Sequence, residues 1–317
     1  MDAITHGLVG ALIARLGPSE KLGGGATACA VVCAVLPDVD YALLVVGPDA
    51  YYLHHREVTH SLLGGLVLAT VVAGVAYAAA RKGFWAFWGV SLAGFLSHVL
   101  LDACTPFGTE LLYPFSHARF AWDVLFLVDP WFSAVVFLAV AVGFAPKWRS
   151  RAALWGLALA IGYIGGCAVA RQVALQRTRK EMEGVRGVQR VDALPVPGNP
   201  LAWRGIVTTK AAYYGFVWHG AGGRPVREVA ERAFETLWVL SAERDPIVDE
   251  FLRTARFPQM HDQVDESGHH LEVHDWYLEL AMGRPYFILR VEEDAEGKVL
   301  DKQCALRERA EPAPEVK

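Results

Sequence analysis

The chain has 317 residues, of which 53% are hydrophobic and 20% are charged, and its mean hydropathy is +0.26. A soluble protein of this length rarely has a positive mean hydropathy, so the composition predicts a membrane protein. The net charge of −4 offers no basic surface for nucleic acid. The five cysteines form no CxxC pair, which argues against a thiolate metal site and a disulfide framework.

Six apolar segments precede residue 171. Four of them have the length of about 20 residues that a bilayer core requires, and they are 61–80, 84–101, 122–144 and 152–170. Segments 5–16 and 24–36 are shorter, and they fit either a re-entrant pair or short spanning helices. We therefore expect an α-helical polytopic membrane bundle, with about four to six membrane segments, over residues 1–175.

The composition changes after residue 171. Residues 176–200 are predicted to be a linker, in which a charged helix leaves the bilayer and several prolines follow. Residues 201–306 resemble a small soluble α+β domain. Its predicted strands are 206–218, 271–280 and a hairpin of 285–291 with 299–303, and its predicted helices are 226–240 and 245–255. Residues 307–317 are predicted to be a disordered tail.

The distribution of positive charge predicts the orientation of the bundle in its membrane. If all six segments span, one face carries Arg15, Lys21, Arg81, Lys82, Lys147, Arg149 and Arg151. Before residue 171 the other face carries only Arg56 and Arg119, so the first face is expected to be cytoplasmic. The polar motifs and the soluble domain then lie on the outer face, although the basic residues Arg177, Arg179 and Lys180 argue against this.

Two short acidic motifs occur near the N-terminal end of the sequence. Asp2 and His6 are four residues apart, so on a helix they share one face, where Asp2 either orients the imidazole or favours the positive helix end. Asp38 and Asp40 follow Pro37 at the end of an apolar segment. Two carboxylates there repel each other unless a cation lies between them. This second motif favours metal binding over a simple solvated helix end.

The segment 54–61 contains three histidines within seven residues, directly before an apolar segment. Packing alone does not explain such a cluster, and His60 at the start of a spanning helix can face the bundle axis. Arg56 is a candidate clamp for a phosphate or carboxylate group. Thr59 or Ser61 can cap the helix, which is a purely structural role.

The next polar pair lies at the end of the segment 84–101. His98 and Asp102 are four residues apart on one predicted helix face, and an ionisable group at this depth is costly and usually functional. The pattern H-x-x-x-D offers two metal ligands from one helix. Asp123 and Asp129 flank a later apolar stretch, and each fits either a role at the site or a helix cap.

These motifs together resemble the bacterial family of membrane-bound metal-dependent hydrolases, the YdjM/YbcI-like proteins. The pattern is T-H-x-x-x-G from Thr5, P-D-x-D from Pro37, H-R-x-x-T-H-S from His55 and H-x-x-L-D-x-x-T-x-x-G from His98. The likeness spans roughly residues 1–170. It implies a divalent metal and hydrolytic activity, without naming a substrate.

The predicted site contains ten residues. The candidate metal ligands are His6, Asp38, Asp40, His60, His98 and Asp102, all at one membrane face on the six-segment interpretation. The candidate catalytic residues are His55, Arg56, Thr59 and Asp123. Oxygen and nitrogen ligands without thiolate suit Zn²⁺, and also Mn²⁺ or Fe²⁺. Six ligands exceed one tetrahedral shell, so either some of them support the others or two ions bind.

We expect a metal-dependent hydrolase that acts on a lipid-like or membrane-proximal (phospho)ester. In this interpretation Asp38, Asp40 or Asp123 orients or deprotonates water, and Arg56 binds the departing anion. The alternatives are a metal-binding transporter or sensor and a scaffold in which the motifs only hold helices together. A transporter should carry polar residues through the whole bundle, whereas segments 69–80, 135–142 and 157–161 contain no acidic, basic or histidine side chain.

Overall fold

The computed structural model describes residues 1–18, 22–220, 222–231, 246–265, 268–283, 285, 287–293 and 299–306. The predicted disordered tail 307–317 and residues 232–240 of the predicted helix 226–240 lie outside the described residues. The first part of the chain is helical, and the second part consists mainly of β-strands.

The helical part confirms the predicted polytopic bundle. Its helices are α1 (Ala3–Arg15), α2 (Gly24–Val35), α3 (Pro48–His54), α4 (Leu62–Ala80), α5 (Phe84–Ala103), α6 (Pro130–Val142) and α7 (Arg149–Glu181). Within the described part of the chain, four helical stretches are long and apolar enough to cross a membrane: Gly24–Val45, Leu62–Ala80, Phe84–Ala103 and Pro146–Glu181. The shorter apolar helices α1 and α6 accompany them.

Two predicted membrane segments have different bounds in the structure. The segment 122–144 contains a helix of only 13 residues, α6, because Pro130 disfavours a helical conformation in the preceding residue. Asp129 instead caps α6 by accepting hydrogen bonds from the backbone N–H groups of Trp131 and Phe132, both at 3.0 Å. In contrast, the short segment 24–36 is extended by a 3₁₀ helix, Leu36–Val45, so that it reaches spanning length.

Close contacts between small residues bring α1, α2 and α5 together. A Cβ atom added at Gly94 on α5 would lie 2.4 Å from the carbonyl oxygen of Ala30 on α2, and one added at Gly10 on α1 would lie 2.8 Å from the same oxygen. Glycine therefore permits the backbones to approach as membrane helices often do. This packing brings His6 on α1 and His98 on α5 to the same region, where their rings stack.

The expected linker 176–200 is instead ordered secondary structure. Helix α7 continues to Glu181, well beyond the predicted segment 152–170, and strand β1 begins at Val188. Gly198 forms the turn between β1 and β2 with a φ of 69°, a conformation that glycine adopts readily. The prolines that suggested a break therefore lie in and around a β-hairpin.

The described residues after Glu181 form two four-stranded antiparallel sheets, ordered β1-β2-β3-β4 and β5-β6-β7-β8. The strands are β1 (Val188–Val196), β2 (Asn199–Thr209), β3 (Ala212–His219), β4 (Gly222–Glu231), β5 (Pro258–Asp265), β6 (Gly268–Asp275), β7 (Phe287–Glu293) and β8 (Val299–Leu306). The described part of this region also contains the helices α8 (Pro246–Thr254) and α9 (Trp276–Met282). The predicted small α+β region is confirmed, with more β-structure than expected.

Several of its predicted elements were wrong in detail. The single strand 206–218 is two strands, since a turn after Thr209 reverses the chain, with the hydroxyl of Thr209 accepting from the N–H of Ala212 at 3.1 Å. Residues 226–231, expected to be helical, belong to β4. The strand 271–280 changes into α9 at Asp275, which caps that helix. Helix 245–255 and the pairing of β7 with β8 are confirmed.

Candidate metal centre

Four buried side chains from three parts of the bundle converge at one point. They are Asp38 on the 3₁₀ helix after α2, His60 just before α4, and His98 and Asp102 on successive turns of α5. Each offers one nitrogen or oxygen atom, and these four atoms all lie within 4.8 Å of one another. The structure thus brings together four of the six predicted metal ligands.

The spacing of these atoms matches a metal coordination shell. The two Nε2 atoms of His60 and His98 are 3.0 Å apart, and they lie 3.4 and 3.5 Å from Oδ2 of Asp102. Oδ1 of Asp38 is 3.8 Å from each of the same nitrogens. Ligands bound to Zn²⁺ at about 2.0–2.2 Å in a tetrahedron lie about 3.4 Å from one another. The cluster therefore has the size that one such ion requires.

The hydrogen bonding of the cluster also fits a cation. Nδ1 of His98 donates to the carbonyl oxygen of Ala34 at 2.8 Å, so in a neutral ring Nε2 presents a lone pair to the cluster. Neither carboxylate oxygen of Asp38 accepts a hydrogen bond from the described residues, although both are buried. Buried carboxylates are costly unless a positive charge or several donors compensate them. The residues therefore fit a divalent metal.

The pKa of His60 reflects the negative charge of the carboxylates around it. Burial disfavours its imidazolium form, but its contacts with Asp102 and Asp38 outweigh that cost and raise the pKa of His60. A metal ion supplies the same compensation, and it takes the place of the proton because a ligand histidine is neutral.

The other two predicted ligands, His6 and Asp40, lie outside the four-atom set but contact its members. Nε2 of His6 lies 3.3 Å from Oδ1 of Asp102, and the ring of His6 stacks on His98 with a centroid distance of 3.9 Å. The amino group of Met1 also contacts Asp102. His6 therefore positions Asp102 and His98. The carboxylate of Asp2 caps α1 by accepting from the N–H of Thr5 at 2.9 Å, and Asp2 contacts His6 through its backbone carbonyl, which accepts from the N–H of His6 at 3.2 Å.

Asp40 holds the segment that carries His60. Its Oδ2 accepts hydrogen bonds from the backbone N–H of Arg56 at 3.0 Å and from the hydroxyl of Thr59 at 3.2 Å. The same oxygen lies 3.1 Å from Nδ1 of His55 and 3.4 Å from Nδ1 of His60. A carboxylate behind a ligand histidine fixes the tautomer and orientation of its ring. Asp38 and Asp40 thus have different roles, because the 3₁₀ helix directs them to different partners.

Three of the predicted catalytic residues lie beside the centre. Arg56 is buried, donates from Nη1 to the carbonyl oxygen of Gly108 at 2.7 Å, and places Nη2 3.3 Å from Asp102. The hydroxyl of Thr59 lies 3.0 Å from Nδ1 of His60. Burial lowers the pKa of His55 to about 4, so its ring is neutral at neutral pH. Arg56 is therefore not free to bind an anion with its whole guanidinium group, because part of that group contacts the carboxylate of Asp102.

Asp123, the fourth predicted catalytic residue, is engaged elsewhere. Its carboxylate pairs with Arg171 on α7 at 3.1 Å and with Arg256 in the β-sheet region. Among the residues that the structure describes, no polar contact joins Asp123 to the four ligand side chains. Asp123 adopts a positive φ of 57°, in the loop before α6, and there it ties the bundle to the second part of the chain. The structure thus gives no support to a role for Asp123 in activating water.

Residues that the sequence did not indicate line a cavity beside the centre. The cavity has a volume of about 230 Å³ and lies between the bundle and the β-sheet region. His55 and Arg56 line it from the bundle, and Leu278, Met282 and Phe287 line it from the other side. No motif or periodicity marks the latter three residues, since only the packing of the two regions brings them here.

A second acidic group nearby is an ion-pair network. Glu57, Glu110 and His117 have ligand atoms close to one another. However, Glu110 already accepts from Nε of Arg119 at 3.2 Å and lies 3.3 Å from Nη1 of Arg253. Two guanidinium groups therefore compensate its charge, and this group is a poor metal site.

Comparison with known proteins decides the family. Residues 1–174 match the model of the YdjM inner membrane protein family. The chain belongs to this family. All ten predicted site residues lie inside the matched region, and the family together with the apolar helices places the protein in a bacterial inner membrane.

Two relatives show how far the similarity to individual YdjM-like proteins extends. The uncharacterized protein YfhP of Bacillus subtilis (strain 168) is 26% identical over 222 residues, which cover 68% of this chain and 67% of YfhP. The inner membrane protein YdjM of Escherichia coli (strain K12) is 34% identical over 97 residues, which cover 27% of this chain and 47% of that protein. No solved structure matches the chain.

Proposed function

We propose that this YdjM-family protein is a metal-dependent hydrolase of the inner membrane that acts on a lipid-like or membrane-proximal (phospho)ester. The observation that carries the proposal is the set of four buried ligand atoms, whose measured separations of 3.0–3.8 Å suit one divalent ion. The cavity next to this set gives a substrate a place to bind. Zn²⁺ suits the ligands best, and Mn²⁺ or Fe²⁺ suits them as well.

A divalent ion at such a site supplies Lewis acidity and makes hydroxide available at neutral pH. The protein's own residues hold the ligands and move the proton. The carbonyl of Ala34 fixes the ring of His98, and Asp40 with Thr59 fixes the ring of His60. If Asp38 binds the ion through Oδ1, its Oδ2 is left as the candidate general base, because that oxygen has no hydrogen-bond donor among the described residues.

One observation favours a second function, that of a metal-stabilised scaffold. All four ligand side chains are buried, and four protein ligands complete a tetrahedral shell, which is the pattern of structural zinc sites. A catalytic zinc usually keeps one position for water or substrate. For a hydrolase, one of the four side chains would have to leave room at the ion for water or substrate, whereas for a scaffold all four would hold the ion.

Elemental analysis of the full chain, purified in detergent, tests the metal centre. We expect about one divalent ion per chain in the unmodified protein and a loss of at least tenfold in the double variant His60→Ala, His98→Ala. His219→Ala is the matched control, because His219 is an exposed histidine on β3. An unchanged metal content in the double variant would rule out the proposed centre.

Turnover assays then separate the hydrolase from the scaffold. The probes are bis-p-nitrophenyl phosphate, p-nitrophenyl butyrate and phosphatidylglycerol in mixed micelles, each with and without a chelator. The hydrolase predicts turnover of at least one probe that the chelator abolishes and added metal restores. A metal-loaded protein that hydrolyses none of them, but unfolds more easily after chelation, supports the scaffold.

A further inference from the structure

The cavity beside the metal centre has one polar end and one apolar end. Its polar end is formed by Met1, Asp2, Tyr41, Tyr51, His55 and Arg56. The carboxylate of Asp2 already accepts hydrogen bonds from the N–H and the hydroxyl of Thr5, at 2.9 and 2.7 Å. Its apolar walls include Phe107, Phe126, Leu127 and Val128 from the bundle, and Leu278, Met282 and Phe287 from the β-sheet region. Since the two regions contribute opposite walls, neither of them forms this cavity alone.

The polar end is suited to an anion. Arg56 is only 2% exposed, so its guanidinium charge acts in surroundings where water screens it little. Its Nη2 lies 3.3 Å from Oδ2 of Asp102, and its Nε has no hydrogen-bond partner among the described residues. That Nε is itself inaccessible, but Arg56 lines the cavity, so its positive charge attracts a phosphate held there. The guanidinium group of Arg56 therefore lies between the cavity and the carboxylate of Asp102.

The apolar end is built on a defined element of the β-sheet region. Leu278 and Met282 are four residues apart on α9 and so share one face. Asp275 fixes the start of α9 by accepting from the N–H of Leu278 at 3.2 Å. The ring of Phe287 stacks on Tyr51 with a centroid distance of 5.9 Å, which fixes this wall against the polar end.

The size of the cavity limits what it can hold. An apolar cavity of about 150 Å³ binds benzene, and this one measures about 230 Å³. It therefore accommodates an aromatic ring or a short alkyl group together with part of a phosphate, but not a complete acyl chain. Met282 is 48% exposed, so a longer chain has an exit beside its flexible side chain.

We propose that α9 and Phe287 select the substrate, which is a phosphate ester whose compact apolar group lies next to the phosphate. The apolar group contacts Leu278, Met282 and Phe287, and the phosphate oxygens face Arg56. This inference rests on the proposed hydrolase function and adds a substrate class and a role for the C-terminal region. It makes α9 a specificity-determining element, separate from the metal ligands.

The test compares two anions on the metal-loaded full chain in detergent. Phenyl phosphate carries the ring that the cavity fits, and inorganic phosphate is the same anion without it. We expect phenyl phosphate to bind at least about tenfold more tightly by isothermal titration calorimetry. In Met282→Trp, the larger side chain fills the apolar end, so this preference should disappear while inorganic phosphate still binds. Leu300→Trp is the control, because Leu300 on β8 is 61% exposed and does not line the cavity.

Each outcome has a distinct meaning. Equal affinities of the two anions, or binding of neither to a metal-loaded chain, overturn the inference. If Met282→Trp still prefers phenyl phosphate, α9 does not select the substrate. If Met282→Trp fails to fold, Leu278→Ala replaces it, and it should shift the preference towards the larger naphthyl phosphate; no shift overturns the role of α9. A chain that binds no metal contradicts the proposed function instead.

Discussion

The Nε2 atoms of His60 and His98 lie 3.0 Å apart in the interior of the bundle, and both rings are completely buried. Because Nδ1 of His98 donates to a carbonyl, its Nε2 has a lone pair in the neutral ring. So short a separation is favourable only if a proton or a metal ion lies between the two nitrogens. Asp38 and Asp102 beside them add negative charge, which favours the divalent ion over the single proton.

Replacing Asp40 by Asn tests whether this residue supports the ligands or is one of them. Asp40 contacts the segment 55–60 through Oδ2 and is absent from the four-atom set. We therefore expect Asp40→Asn to bind Zn²⁺ about 10–100-fold more weakly, as loss of such a supporting carboxylate typically does, while still reaching one ion per chain at saturation. Metal titration with a competing chelator measures this. Asp301→Asn, an exposed change on β8, is the control, and complete loss of binding in Asp40→Asn would make Asp40 a ligand.

Removing the metal should lower stability as well as activity. Without a cation the buried carboxylate of Asp38 loses its compensation, whereas Asp102 keeps its contacts with Arg56 and the amino group of Met1. Breaking a buried charge pair costs about 3–5 kcal/mol, which corresponds to a fall of roughly 10 °C in the unfolding midpoint. Thermal unfolding followed by tryptophan fluorescence, with and without chelator, measures this shift. The double variant His60→Ala, His98→Ala should show no chelator-dependent shift, and equal shifts in both proteins contradict the prediction.

The close approach at Ala30 predicts a large effect of one added methyl group. In Gly94→Ala the new Cβ would lie 2.4 Å from the carbonyl oxygen of Ala30, so α2 and α5 must separate. We expect a destabilisation of about 1–3 kcal/mol and weaker metal binding, since His98 follows one turn later. Gly162→Ala is the control, because no atom lies within 4 Å of its added Cβ. Gly94→Ala should therefore have a lower unfolding midpoint and a weaker metal affinity than Gly162→Ala. Equal values in the two variants would contradict the close packing of α5 against α2.

Arg256 is predicted to be an ionic link that stabilises the contact between the two regions, beside the pairs of Arg119 with Glu250 and of Arg253 with Glu110. It pairs with Asp123, which is 2% exposed, and with Asp192 at 3.2 Å. Arg256→Ala removes one of the two cations that pair with Asp123 and leaves Arg171. We therefore expect the free energy of unfolding to fall by about 1–3 kcal/mol and the C-terminal region to be proteolysed faster.

The control for this link is Arg290→Ala. Arg290 pairs with Glu272 at 2.8 Å, but both side chains are about half exposed, so water screens the pair. Its removal should leave the rate of proteolysis almost unchanged. Similar rates for Arg256→Ala and Arg290→Ala would show that the ion pairs of Asp123 do not hold the two regions together.

The membrane bundle and the group of polar motifs could be predicted because both depend on local patterns. Apolar length marks spanning helices, and a spacing of four residues places His98 and Asp102 on one helix face whatever surrounds them. The prediction was wrong where a local signal has two interpretations. Asp129 with Pro130 starts a helix inside the segment 122–144, and the segment 226–231 pairs with β3 although its sequence also resembled a helix.

The composition and the motifs of this sequence were enough to predict a membrane protein with a His/Asp site. Hydropathy and the ability to bind a metal are properties of the individual side chains, so they can be read without the fold. Only the tertiary structure decided which candidates meet. It placed Asp38 with His60, His98 and Asp102, and it put Asp40 and His6 in contact with this set but outside it. It also added Met282 and Phe287 to the cavity. Distances between residues far apart in the chain depend on helix packing, and no local pattern specifies them.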